Sequence, residues 1–125
     1  MDFIPGYRLI HILELIEENK LLYNIIKNLY LENIELILPL LVNCSSDYIC
    51  YAKNINGDEY IISIFHDDTD FYIMHNSVEK FFITLCAFYE KEIYFIDEDG
   101  YLDYDMDKEI EIGKKYNKNL LYWSI

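Results

Sequence analysis

A chain of 125 residues has the length of one domain, and with 53% hydrophobic and 17% aromatic residues it can bury a real core. Its formal net charge of −13 disfavours nucleic acid and anionic membranes as partners and favours basic proteins. No apolar run is long enough to span a bilayer: Ile34–Val42 is short and holds Glu35 and Pro39.

The N-terminus, MDFIPGYRL, lacks the basic start and long apolar core of a secretory signal. Gly6–Ile10 reads as a short strand entering a helix, in which Ile12, Leu13, Leu15 and Ile16 share a face while Glu14, Glu17 and Glu18 lie mostly off it. Helical spacing continues over Lys20–Leu31 through Leu22, Ile25, Ile26 and Leu29, with a break expected at Asn19. Ile34–Val42 reads as a strand that Pro39 restricts to an edge or a bulge, and Asn43–Ser46 as a turn.

The central stretch, Asp47–Tyr89, reads as three strands and a helix. In Asp47–Ala52, Tyr48, Cys50 and Ala52 point one way and Ile49 and Tyr51 the other. Asn56-Gly57-Asp58 is a turn signal, and Glu59–Phe65 has the Ile and aromatic content of a strand. The cluster Asp67-Asp68-Thr69-Asp70 reverses the chain into Phe71–Met74. Asn76 is the expected helix cap, with Glu79 completing a capping box. Phe82, Leu85, Cys86 and Tyr89 follow at helical spacing, and Phe81 and Phe88 widen that face. Cys50 and Cys86 are expected in the core. With Cys44 they make an odd set without metal spacing, which fits a reducing cytoplasm.

Ile93–Ile96 and Tyr101–Tyr104 read as a hairpin with Gly100 at a positive-φ position, the alternative being a helix that runs on to Phe95. Leu120, Leu121, Tyr122 and Trp123 are expected to pin the C-terminal tail, Glu109–Ile125. Charge is uneven: residues 97–111 hold eight acids and one lysine, residues 112–125 three lysines and no acid. Strand alternation over the acidic stretch places Asp103, Asp105 and Asp107 on one face, about 7 Å apart, close to the phosphate spacing of a nucleic acid. Asp97, Glu98, Asp99, Asp103, Asp105 and Asp107 are therefore the candidate partner-binding residues. Asp67, Asp68 and Asp70 form a secondary acidic loop.

No catalytic residue, metal site or cofactor is expected. A calcium loop with Gly100 at its sixth position would start at Phe95 and end at Met106, neither an oxygen ligand. His66, Asp67, Asp68, Asp70 and His75 lack paired-ligand spacing, and Ser45, Ser46 and Ser77 have no evident His–Asp partners.

The order of these pieces resembles the SUKH superfamily, the Smi/Knr-type proteins. The resemblance is carried by Gly6-Tyr7-Arg8-Leu9 running into ILELIEEN, by Leu38-Pro39-Leu40-Leu41, and by Ser46–Tyr51. It is clearest over Phe71–Tyr89, where a strand leads into Asn76-Ser77-Val78-Glu79-Lys80-Phe81-Phe82, and it extends through Asp97–Asp103. It covers roughly residues 6–105 as a pattern of order and spacing. Members usually carry an N-terminal helix and a Leu-Pro segment before the Gly-Tyr strand, so the chain resembles a trimmed member.

The resemblance implies a single α+β domain over residues 1–125, with a mixed, largely antiparallel sheet and helices packed on it. It implies binding rather than catalysis. Many bacterial members are immunity proteins that neutralise polymorphic or contact-dependent toxins, often nucleases; others regulate cell-wall assembly through partners. The expected partner is a basic protein, a cognate toxin, met in the cytoplasm. A regulatory or scaffold module is the alternative. An apolar strip left bare by the missing helix would favour a homodimer.

Overall fold

Strands whose side chains are apolar on both faces need a cover on both faces, and that requirement sets the architecture. The computed structural model describes residues 2–27, 33–68 and 70–124. Six strands form one sheet in sequential order: β1 (Asp2–Ile4), β2 (Tyr7–Leu9), β3 (Ile34–Val42), β4 (Tyr48–Asn54), β5 (Glu59–Ile64) and β6 (Phe71–His75). Every neighbouring pair is antiparallel. Helix α1 (Leu15–Ile26) follows a 3-10 turn at Ile12–Glu14 and crosses between β2 and β3. Helix α2 (Val78–Glu90), the hairpin β7 (Tyr94–Ile96) and β8 (Leu102–Tyr104), helix α3 (Met106–Tyr116) and a 3-10 turn at Leu121–Ser124 complete the chain. The fold is α+β, with an antiparallel sheet carrying helices, as the resemblance implies.

The alternation read in β4 holds. Tyr48, Cys50 and Ala52 pack with Ile62 and Ile64 against Leu22 of α1. Ile49 and Ile61 face the other way, into a core with Phe81, Leu85 and Phe88 of α2, Ile112 of α3 and Trp123. Helix α1 is oriented by a hydrogen bond from the buried Tyr48 hydroxyl to Glu18 (2.7 Å). Arg8 adds a forked pair to Glu14 (3.2 and 3.1 Å) and reaches Glu18 at 3.7 Å.

Several expectations are corrected. Helix α1 passes through Asn19 without a break. Ile12, Leu13 and Ile16 are exposed, and the helix is held by Leu22, with Ile25 and Ile26 partly buried beside it. The segment expected to continue this helix, residues 28–31, lies outside the described residues. Pro39 sits in an interior strand, at a register shift between Pro39 and Leu41, so the bulge and not the edge is what accommodates it. The bulge turns Leu40 and Leu41 both toward the α2 side, where Val42 returns to the α1 side. Strand β1 pairs ahead of β2 and has no counterpart in the sequence reading. Cys86 is exposed; of the two cysteines expected in the core, only Cys50 is buried.

In α2 the whole phase shifts by one residue. Ser77, not Asn76, is the cap: its hydroxyl accepts from Lys80 N–H (3.1 Å), which leaves Glu79 too early for a capping box. The buried face is Phe81, Thr84, Leu85 and Phe88, while Phe82 is 53% exposed. Both registers obey the same helical spacing. Thr84 is what distinguishes them: it is buried with its hydroxyl donating to Lys80 C=O (2.7 Å) and accepting from Asn117 (3.0 Å), which offsets the cost of its burial.

The C-terminal tail is pinned as expected, but by a helix that the strand reading of the acidic stretch hides. Gly113 lies against Trp123 so closely that a Cβ there would fall 2.1 Å from the ring. The Trp123 indole N–H donates to Met74 C=O of β6 (2.8 Å). Asn117 ends α3 inside the core. Its amide donates to Thr84 Oγ1 (3.0 Å) and Gly113 C=O (2.9 Å), so its Oδ1 accepts from His75 Nδ1 (2.8 Å). That chain of donors places a proton on His75 Nδ1, and it is burial that favours the neutral ring.

Two outcomes follow. In denaturant melts Ser77→Ala should cost about 1 kcal/mol and Asn76→Ala close to nothing. Phe81→Ala should cost about 3–5 kcal/mol and Phe82→Ala far less. Burial pushes the His75 pKa down from the usual 6.5 to about 4, with its bond to Asn117 opposing. Its contribution is therefore complete above pH 6.5 and is lost as pH falls from 6.5 to 4, a loss of about 3 kcal/mol. Unfolding free energies measured across that window should fall less steeply in His75→Gln than in the parent chain.

Candidate protein-docking surface

The hairpin β7–β8 is short, and its turn is built by one of its own acids. Asp97 Oδ1 accepts from the N–H groups of Asp99 and Tyr101 (both 2.9 Å), Asp97 N–H donates to Tyr101 C=O (2.8 Å), and Gly100 takes φ +86°. Pairing runs Tyr94↔Tyr104, Phe95↔Asp103 and Ile96↔Leu102. The hairpin is thus confirmed, and α2 ends at Glu90 rather than running on to Phe95.

The expected single face of Asp103, Asp105 and Asp107 is not formed, because the strand stops at Tyr104. Asp103 turns its carboxylate onto Tyr104 N–H (2.8 Å). Asp105 caps α3 by accepting from Lys108 N–H (3.2 Å), and Asp107 lies in the first helical turn, where the helix dipole favours an acid. A capping aspartate ends the period-two pattern as soon as it starts a helix. The six candidate acids therefore divide. Asp97, Asp103 and Asp105 each spend an oxygen on the backbone, whereas Glu98, Asp99 and Asp107 stand exposed at the surface.

The hairpin is anchored from below. Asp105 N–H donates to Ile93 C=O (3.0 Å), and the Tyr94 hydroxyl, inside the core, donates to Glu109 (2.7 Å). Burial raises the Glu109 carboxyl above the usual range, against the Tyr94 hydrogen bond, and burial with the Glu109 charge pushes the Tyr94 hydroxyl far above its ordinary value.

What the sequence reading missed is the apolar half of this surface. Ile96, Tyr101 and Met106 are exposed, Tyr101 by 72%, and Phe95 and Tyr104 are also open to solvent. The signal lay in the alternation of these side chains with the acids. Tyr104 and Met106 line a shallow cleft of about 230 Å³ with Phe65, Glu109, Ile110, Tyr122 and Trp123. Phe65 leads directly into the loop that holds the secondary acids. There Asp68 accepts from Asp70 N–H (3.2 Å), Asp70 accepts from Phe71 N–H (3.0 Å) and Asp67 is exposed; Thr69 lies outside the described residues. The cleft thus takes lining residues from the neighbourhood of each acidic segment, Phe65 ahead of the secondary loop and Tyr104 and Met106 on either side of Asp105. An apolar centre with a charged rim is the anatomy of a protein–protein contact.

No family model, no curated protein and no solved structure matches the chain. Among the described residues no helix is long and apolar enough to cross a membrane.

The division of the acids has a measurable consequence. Asp97→Ala should lower stability by about 1 kcal/mol, since two turn N–H groups lose their acceptor. Glu98→Ala and Asp99→Ala should stay within about 0.5 kcal/mol of the parent in thermal melts.

Proposed function

We propose that this chain is a non-enzymatic binding protein that takes a basic protein partner on the β7–β8 surface. The partner is a cognate toxin, as the resemblance to SUKH-type immunity proteins implies, and the encounter takes place in the cytoplasm. One observation carries this reading: Glu98, Asp99 and Asp107 stand exposed around the open Tyr101, Tyr104 and Met106. The carboxylates supply long-range attraction to a basic groove, and the aromatic and Met side chains supply area to bury once contact is made. The three free cysteines fit a reducing compartment.

The test is association kinetics with the protein encoded by the neighbouring gene, co-expressed and purified with this chain. Glu98→Lys, Asp99→Lys and Asp107→Lys are combined, which spares the structural acids Asp97, Asp103 and Asp105. Steering contributes about 10–10³ to an on-rate and fades as salt shortens the screening length to about 8 Å at physiological strength. The triple reversal should therefore slow association strongly at low salt and much less at high salt, and should abolish protection of cells that express the toxin. Equal rates for both chains at both ionic strengths would show that the partner binds elsewhere.

A further inference from the structure

Asp47 and His66 lie 19 residues apart and meet because of strand register. Tyr48 pairs with Ile64 across β4 and β5, so the residue before β4 and the residues just past β5 share one corner of the sheet. Asp47 is held there. Its Oδ2 accepts from Asn43 Nδ2 (3.0 Å), and its Oδ1 accepts from His66 N–H (2.9 Å) and lies 2.7 Å from His66 Nδ1. Asp67 follows directly, with its carboxylate toward the same corner. One ring nitrogen of His66 and one carboxylate oxygen from each of Asp47 and Asp67 lie within 4.8 Å of one another.

We propose that Asp47, His66 and Asp67 form a surface site for one divalent transition-metal ion of the Zn²⁺ class. Three protein ligands, one imidazole and two carboxylates, are the complement of an open zinc site, whose fourth position is filled by water or by a partner's side chain. Bonds of about 2.0–2.2 Å in tetrahedral array place ligand atoms about 3.4 Å apart. Asp47, part-buried and held by Asn43, stays in place, and rotation of the exposed His66 and Asp67 side chains brings the three atoms to that spacing. Asn43 is the outer partner that orients a ligating carboxylate. The imidazole selects against Ca²⁺ and Mg²⁺, which take oxygen alone. His75, the other histidine of this region in sequence, takes no part, because its ring is buried against Asn117.

The ordinary alternative is a His66–Asp47 latch that only closes the loop, and the test separates the two. The intact metal-free protein is titrated with Zn²⁺ by calorimetry and with Co²⁺ by visible absorption, with Ca²⁺ as control. The site should take one Zn²⁺ per chain and give Co²⁺ ligand-field bands, with no saturable Ca²⁺ binding. His66→Ala leaves every carboxylate in place, so general cation uptake by this acidic surface is unchanged. It should still weaken Zn²⁺ binding more than about tenfold, given that even the loss of an outer partner costs about 10–100-fold. Asp67→Asn, isosteric and exposed, should do the same with the metal-free Tm unaltered, which keeps the test valid if the histidine variant folds poorly. Absence of saturable Zn²⁺ binding, or equal affinity in Asp67→Asn, would overturn the proposal and leave a hydrogen-bonded latch.

Discussion

The structure depends on one buried polar relay, Lys80 C=O to Thr84 to Asn117 to His75, closed by Trp123 against Gly113 and Met74. It joins four elements: α2, the end of α3, the 3-10 turn beyond it and the edge strand β6. Each donor in the relay finds one acceptor, and among the described residues no buried side-chain polar atom is left unpaired. The cost of burying an amide, a hydroxyl and an imidazole is thereby offset, and the geometry of the C-terminal third is specified. The hairpin β7–β8, a two-stranded ribbon that would be marginal in water by itself, joins this unit through the Tyr94 ring against Phe88 and the Tyr94 hydroxyl on Glu109 of α3.

Strand pattern was legible where both faces are apolar. In β4, Tyr48, Ile49 and Cys50 alternate cleanly because α1 covers one face and α2 the other. Turns were legible where backbone geometry demands a residue type, as at Gly57 and Gly100, both at positive φ. The phase of α2 was not legible, because Phe81 and Phe82 are equivalent by hydrophobicity and the deciding residue, Thr84, is polar. Its burial depends on Asn117, 33 residues away, which no local pattern reveals. Helix α3 was hidden for a related reason. Asp103, Asp105 and Asp107 keep a strand period in the sequence, although Asp105 is a helix cap and Asp107 lies in the first turn, and the helix they open packs Gly113 on Trp123, a contact no local pattern reveals.

The same contrast separates the two parts of the docking surface. The acids were visible as a run of charge, whereas their division into turn builders, a cap and exposed carboxylates follows from hydrogen bonds. The apolar cleft between Phe65 and Met106 joins segments some forty positions apart in the numbering, and only the folded sheet brings them together. Asp47 and His66 are the short-range version of that effect, since one hairpin suffices to bring them into register.

The claim that the relay at β6 holds the C-terminal unit in place is tested most directly by native-state hydrogen exchange on Trp123→Ala. Removing the ring empties the space against Gly113 and frees Met74 C=O. Amides of α3 and β7–β8 should then exchange much faster, while those of β4 and β5 keep most of their protection, as expected of a unit that opens by itself. An even loss of protection over the whole chain, or none in α3, would contradict the account.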